Sequence, residues 1–230
     1  MKAKETQSPV IFLGSSLTLP NLIDSLHAQN RCIIGIWDQD YQNQRSMFEL
    51  PILKEDFLDQ INVQEYEFFV ATNWNPGKHP ITVRNNQKRN DLIDLMKKKN
   101  LTGAKIIHPT AIVSPRAEIG CNVSIGAMTM VTHGTKIHNH VSIKEQCYIS
   151  HDVVIEEDSV IQIKACITGD VHIGKHTYVG INSTIINRGA VAKPMRIGNN
   201  SLIHPTVLVM QDLPDDSVAS LQDSKFSRVF

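Results

Sequence analysis

The sequence lacks an excess of either charge: 23 Lys and Arg are matched by 23 Asp and Glu across 230 residues. No run of like charge is longer than Lys97, Lys98 and Lys99, so the electrostatic footprint of a nucleic-acid or membrane-surface protein is missing. A long apolar run is missing too. Near the N-terminus the stretch Pro9 to Leu13 stops at Gly14, too short for a secretory core or a membrane span. The four cysteines, Cys32, Cys121, Cys147 and Cys166, include no CxxC and no metal-ligand spacing. A reducing, cytoplasmic setting without a structural metal is the expectation.

What is present divides into two halves with different periods. Residues 9–105 alternate short apolar runs with helical patterns. "VIFLG" reads as a strand, followed by a helix over "LTLPNLIDSLHAQN" with Thr18 as N-cap and Pro20 early enough that its missing N–H costs little. "CIIGIWD" and "YEFFVAT" read as a second and third strand, and "NQKRNDLIDLMKKKN" as an amphipathic helix whose last turn is cationic. Strands alternating with helices imply a small parallel sheet of the nucleotide-binding type, a Rossmann-like α/β domain.

From Ile107 the period becomes six. Every sixth residue from Ile107 through Ile125, Ile143, Ile161, Val179 and Ile197 to Val209 is Val or Ile, although these two types fill only 45 of 230 positions. Chance cannot sustain that run. A hexapeptide repeat of this kind specifies a parallel β-helix, because each short strand buries its apolar side only by stacking on its neighbours. At eighteen residues per turn the ladder predicts six coils about 4.8 Å apart. The expected domains are 9–105, a β-helix over 106–212 and a C-terminal tail over 213–230.

An eighteen-residue coil puts His133 and His151 in one column. Two imidazoles that close disfavour carrying a proton together, which leaves a neutral ring able to act as a general base. Asp152 follows directly and could orient that ring. The opposing expectation is that corner residues of a prism are polar because they face water. A second column holds His140, Asp158 and His176, where solvated charge pairing is expected rather than a metal. His108, His138, His172 and His204 form no predicted cluster.

Taken with its α/β front half, "IIHPTAIVSPRAEIG", "SHDVVI" and "TGDVHIGKHTYVGINSTII", the chain resembles the sugar acyltransferases of the sialic acid O-acetyltransferase type and their relative bacillosamine N-acetyltransferase. The similarity runs from about residue 9 to residue 220. It implies a left-handed β-helix, although left-handed crossovers break the usual rule. It also implies a homotrimer that transfers acetyl from acetyl-CoA to a hydroxyl or amine of a sugar, often nucleotide-linked, in surface polysaccharide synthesis. His151 then maps onto the general base and Asp152 onto its acidic companion. The acetyl-CoA wall between subunits maps onto Ala165, Gly180 and Ile181. Gly14, Ser15 and Ser16 map onto the phosphate-holding turn, and Asp38 onto an acidic residue at the nucleoside.

The chain also departs from that family. Its first turn reads "GSSLTLP" without the usual His. Lys144 stands where an Asn is usual on the acceptor side, and Val160 where a second His is frequent. Lys164 replaces a Gly of the donor wall, where its stem could obstruct the groove or reach a phosphate. One additional hexapeptide spans about 187–192, and "SLQDSK" replaces the Gly-x-Pro-Ala near CoA. An alternative expectation is therefore a catalytically altered relative that binds a sugar nucleotide or serves as a trimeric scaffold.

Overall fold

The computed structural model describes residues 8–72, 80–188 and 193–220. It divides into one unit ending at Pro109 and a second beginning at Thr110.

In the first unit, strands β1 (Val10–Leu13), β2 (Ile33–Trp37), β3 (Ser46–Met47), β4 (Leu50–Leu53) and β5 (Glu67–Val70) form one sheet in the order β3-β4-β2-β1-β5. All pairs are parallel except β3 with β4. Every residue of β1 is buried, as expected for a continuous apolar run covered on both sides. Helix α1 (Leu19–Ala28) packs Leu19, Leu22, Ile23 and Leu26 with Val10 and Phe12 on one side of the sheet. A short helix, α2 (Phe57–Gln60), and the long α3 (Pro80–Lys98) put Leu58, Leu92, Ile93 and Met96 against Ile11 and Leu13 on the other. Thr18 stands at the start of α1 without a side-chain cap. The β3–β4 hairpin and α2 carry too few residues to give a periodic signal, and sequence reading missed them.

The second unit stacks two- and three-residue parallel strands into three faces, an arrangement that fits a left-handed parallel β-helix. The first face runs through Ile112–Val113, Met130–Val131, Tyr148–Ile149, Cys166–Ile167, Thr184–Ile185 and Leu208–Val209. Glu118–Ile119, Lys136–Ile137, Val154–Ile155, Val171–Ile173 and Met195–Ile197 make the second, and Val123–Ile125, Ser142–Ile143, Val160–Ile161, Tyr178–Val179, Leu202–Ile203 and Val218–Ala219 the third. In each rung the Val or Ile of the ladder points inward, and Ile149, Ile155, Ile161, Ile167 and Ile173 are fully buried. The intervening side chains point out because successive residues of a strand face opposite ways. Backbone bonds link the coils, as from Tyr148 N–H to the Ala165 carbonyl at 3.0 Å.

The expected even pitch of eighteen does not hold to the end. Tyr148 pairs with Cys166, but Thr184 pairs with Leu208 and Tyr178 with Leu202, so one turn takes 24 residues. The additional hexapeptide falls in that turn, and its residues 189–192, with the predicted rung at Val191, lie outside the described residues. Leu202 then pairs with Val218, which carries the stacking past residue 212 on a shorter last turn. Asp212 and Asp215 accept the Arg196 and Asn199 amides at 2.8 and 2.9 Å, side chains serving the exposed backbone at the end of the stack.

Most corners between faces consist of two residues, the second left-handed. Asn122, His140, Asp152, Asp158, Lys164, Asp170, His176 and Asn182 all have φ between 53° and 63°. Asn, Asp and His tolerate that conformation best, so backbone demand alone accounts for the polar column of His140, Asp158 and His176. That column is not the solvated ion pair expected from sequence. Asp158 is only 4% exposed, and its Oδ2 lies 3.2 Å from His176 Nδ1.

Candidate active site

His151 and Asp152 form the corner between the first and second faces, linking Tyr148–Ile149 to Val154–Ile155. The strands fix where the corner stands: Asp152 N–H donates to the His133 carbonyl and Asp170 N–H to the His151 carbonyl, both at 3.1 Å. His151 Nδ1 lies 3.0 Å from Asp152 Oδ2. With the carboxylate accepting from Nδ1–H, Nε2 keeps its lone pair, the tautomer a general base requires. Both side chains are about half exposed. His133 stands one coil away as the column predicts, its ring nearly parallel to that of His151 with centroids 5.7 Å apart.

Two glycines frame this pair. Gly134, at φ +71°, faces the Asp152 carboxylate, and a Cβ there would lie 3.0 Å from its Cγ and closer still to Oδ1. Gly169 faces the His151 ring on the side away from His133. Sequence reading passed over both, although coil spacing alone puts Gly134 beside Asp152 and Gly169 beside His151.

The residues expected to wall the donor lie on a different corner. Lys164, Ala165 and Ile181 follow the third face, as does Lys144. Lys164 and Ile181 are exposed, whereas Ala165 and Gly180 are buried. Between that corner and His151 lies the first face, whose outward residues Ile112, Met130, Tyr148, Cys166, Thr184 and Leu208 carry no charge. One chain therefore does not bring the donor wall and the His151 corner together. The second face is charged: Lys136 pairs with Glu118, and Glu156 lies 3.0 Å from His172 Nε2 and 4.0 Å from His138 Nδ1. This His138, Glu156 and His172 cluster corrects the expectation that those histidines stand apart. Among the described residues no group of three His, Cys, Asp or Glu is arranged to hold a metal.

In the first unit, Gly14 ends β1 at φ +73°, and a Cβ there would come within 2.7 Å of Leu92 Cδ1, so the turn favours glycine. The Ser16 hydroxyl donates to the Ala71 carbonyl at 2.6 Å and the Ser15 hydroxyl to Asp38 at 2.8 Å. Asp38 is fully buried and holds the Lys88 ammonium at 2.6 Å. Burial opposes a charge on Lys88, but the bonds to Asp38 and Asp40 outweigh it and raise the Lys88 pKa above its ordinary value. Lys88, 50 positions from Asp38, was not legible as its partner. A cavity of about 450 Å³ beside this pair is lined by Trp37, Gln39, Asp40, Lys88, Asp91 and Leu92.

Residues 116–151 match the bacterial transferase hexapeptide (six repeats) family. No curated protein matches the chain significantly. Solved structures do. The acetyltransferase domain of PglB from Neisseria gonorrhoeae is 19% identical with a TM-score of 0.76, over 95% of this chain and 99% of that one. A variant of perosamine N-acetyltransferase from Caulobacter crescentus, solved with CoA and GDP-perosamine, is 21% identical with a TM-score of 0.79, over 95% and 96%. WeeI from Acinetobacter baumannii is 19% identical with a TM-score of 0.74, over 92% and 96%. The chain thus shares the fold of these structures, and its residues 116–151 carry the hexapeptide repeat.

Proposed function

We propose that the protein is an acetyl-CoA-dependent acetyltransferase acting on an amino or hydroxyl group of a nucleotide-linked sugar in surface polysaccharide synthesis in the cytoplasm. The observation that carries this reading is the His151 and Asp152 pair at 3.0 Å on a β-helix corner. It is supported by the fold shared with structures solved with CoA and a sugar nucleotide.

In the reaction, His151 Nε2 accepts the proton of the acceptor amine or hydroxyl as that atom attacks the thioester carbonyl carbon. Collapse of the tetrahedral adduct breaks the C–S bond, and the proton held by His151 passes to the leaving CoA sulfur. Asp152 accepts from Nδ1–H throughout and stabilises the imidazolium. Positioned proton transfer of this kind contributes about 10²- to 10⁴-fold.

The first unit, a three-layer sheet read as a Rossmann-like domain over about 9–105, takes the nucleotide at the turn of Gly14, Ser15 and Ser16. Since Asp38 is engaged by Lys88 and Ser15, its part is to hold Ser15 in place. The donor lies along Lys164, Ala165, Gly180 and Ile181, with Lys164 at a CoA phosphate. Those residues and His151 occupy different corners, so a complete site takes two copies of the chain, and the uncharged first face suits a homotrimer. Lys144 and His133 stand on the acceptor side.

Calorimetric titration with acetyl-CoA and with CoA tests the donor, and turnover of His151→Ala tests the base. No heat at millimolar donor, or undiminished turnover in the variant, overturns the reading. A second reading, a sugar-nucleotide binder without turnover, is favoured by the exposed Lys164 where relatives have Gly. Acceptor binding without donor binding would establish it.

A further inference from the structure

The His151 ring lies between two neighbours in its own column. On one side is the parallel imidazole of His133, with centroids 5.7 Å apart and planes 15° from parallel. On the other is Gly169, where a Cβ would lie 2.8 Å from Nδ1 and closer still to Cε1 and Nε2. Carbon contacts relax only at about 3.5–4.0 Å, so any side chain at 169 would occupy the space the ring fills.

The backbone does not ask for glycine there. The left-handed residue of that corner is Asp170, at φ +56°, and Gly169 itself has no positive φ. The equivalent first position of the other corners holds Ala127, Glu145, Ile163, Lys175 and Ile181, so the repeat accepts side chains of any size at this kind of place. Gly169 stands out because it is the position that the His151 ring covers.

We propose that Gly169 and His133 are positioning residues that grip the two faces of the His151 imidazole and hold its Nδ1 on Asp152. The sandwich removes the ring rotations that would carry Nδ1 away from the carboxylate and present the wrong nitrogen to the acceptor. This inference rests on the acetyltransferase reading for its consequence, but the geometry it describes is independent of turnover. An alanine at 169 displaces the ring by on the order of 1 Å to restore carbon contact distances, and a misplacement of that size costs a catalytic step up to about 10²-fold.

The test uses the full-length chain with Gly169→Ala, His133→Ala and His133→Phe. Ring nitrogens of His151, identified by their loss in His151→Asn, are followed by two-bond ¹H–¹⁵N correlation NMR. Acetyl transfer is measured alongside. The wild type is expected to show one tautomer, with the proton on Nδ1. Gly169→Ala is expected to mix the tautomers and lower kcat about 30- to 100-fold with KM for both substrates within about twofold. His133→Ala lowers kcat several-fold in the same pattern, and His133→Phe, which keeps a flat partner, restores the wild-type ring signals.

Unchanged ring signals in the folded alanine variants overturn the proposal, as do shifted signals with unchanged kcat. Should Gly169→Ala fail to fold, the exposed His133 decides the matter alone. If the wild type transfers no acetyl group, the functional reading falls, and the ring signals still report whether the sandwich holds the tautomer.

Discussion

Lys88 Nζ lies 2.6 Å from Asp38, whose carboxylate is wholly shielded from solvent. Asp38 accepts two further bonds, from the Ser15 hydroxyl and the Asp40 amide. Lys88→Met would leave a buried carboxylate without its counter-charge, at a cost of about 3 kcal/mol. Urea unfolding of the full chain should show the loss, and most of it should return in the double variant with Asp38→Asn. A single variant as stable as the parent would show that the pair is not needed for stability.

Asp152→Asn separates charge from conformation. Asn tolerates the left-handed φ of +55° at this corner as well as Asp does, so the fold should melt at an unchanged temperature. An amide oxygen still accepts from Nδ1–H but stabilises the imidazolium less. The expected outcome is a fall in kcat of about tenfold or more with little change in KM. Steady-state kinetics checks it, and a kcat equal to the parent's would remove Asp152 from the mechanism.

Ile155 is fully buried between Ile137 and Ile173 in the stack. Ile155→Ala should cost about 3 kcal/mol through lost transfer energy and the cavity left behind. Val154 is its outward neighbour and only partly buried. Val154→Thr should therefore change stability by less than about 1 kcal/mol. A larger loss from Val154→Thr than from Ile155→Ala would mean that inward and outward positions have been exchanged.

Burial pushes the Cys147 thiol up from 9.0 to about 12. Its Sγ–H donates to the Gln162 carbonyl at 3.0 Å. The folded state thus keeps a proton that the unfolded chain has lost above pH 9.0. The stabilisation is complete below pH 9.0 and disappears as pH rises toward 12. Between those limits stability should fall by up to about 1.4 kcal/mol per pH unit from this group, and Cys147→Ala should flatten that limb. Native labelling with a thiol reagent should reach the exposed Cys32 first and leave Cys147 untouched.

At the opposite end of the pH range, the Arg196 and Asn199 amides hold Asp212 and Asp215 below their ordinary 3.8. Their support of the last turn is present above pH 3.8 and is lost as pH falls through their lower folded values. On acidification those two amides should lose their protection, measured against the intrinsic exchange rate at each pH, before the central coils do. Uniform loss of protection along the stack would contradict this.

The six-residue ladder was legible because each inward Val or Ile answers to one geometric demand repeated at fixed intervals. The same lattice placed His133 beside His151. It could also have yielded Gly134 and Gly169, but glycine draws notice at turns rather than under a ring. The 24-residue turn was hidden by its own regularity: an insertion of one whole repeat leaves the apolar rhythm intact while changing which strands pair. His172 and Glu156 escaped because they lie sixteen apart, an outward strand residue meeting a corner-side one off the lattice. In the first unit, Asp38 was visible at the end of β2, whereas its partner comes from a distant helix that no local pattern connects to it.

The three outer surfaces of the coil draw on separate sets of positions, one per turn. Exchanging Tyr148 for another outward residue alters the uncharged side and leaves Glu118, Lys136 and the inward isoleucines as they were. Mutations can therefore rewrite the uncharged panel, or the charged one, one tile at a time. The column of His133, His151 and Gly169 has less freedom, since the His151 ring fills the space between its two neighbours.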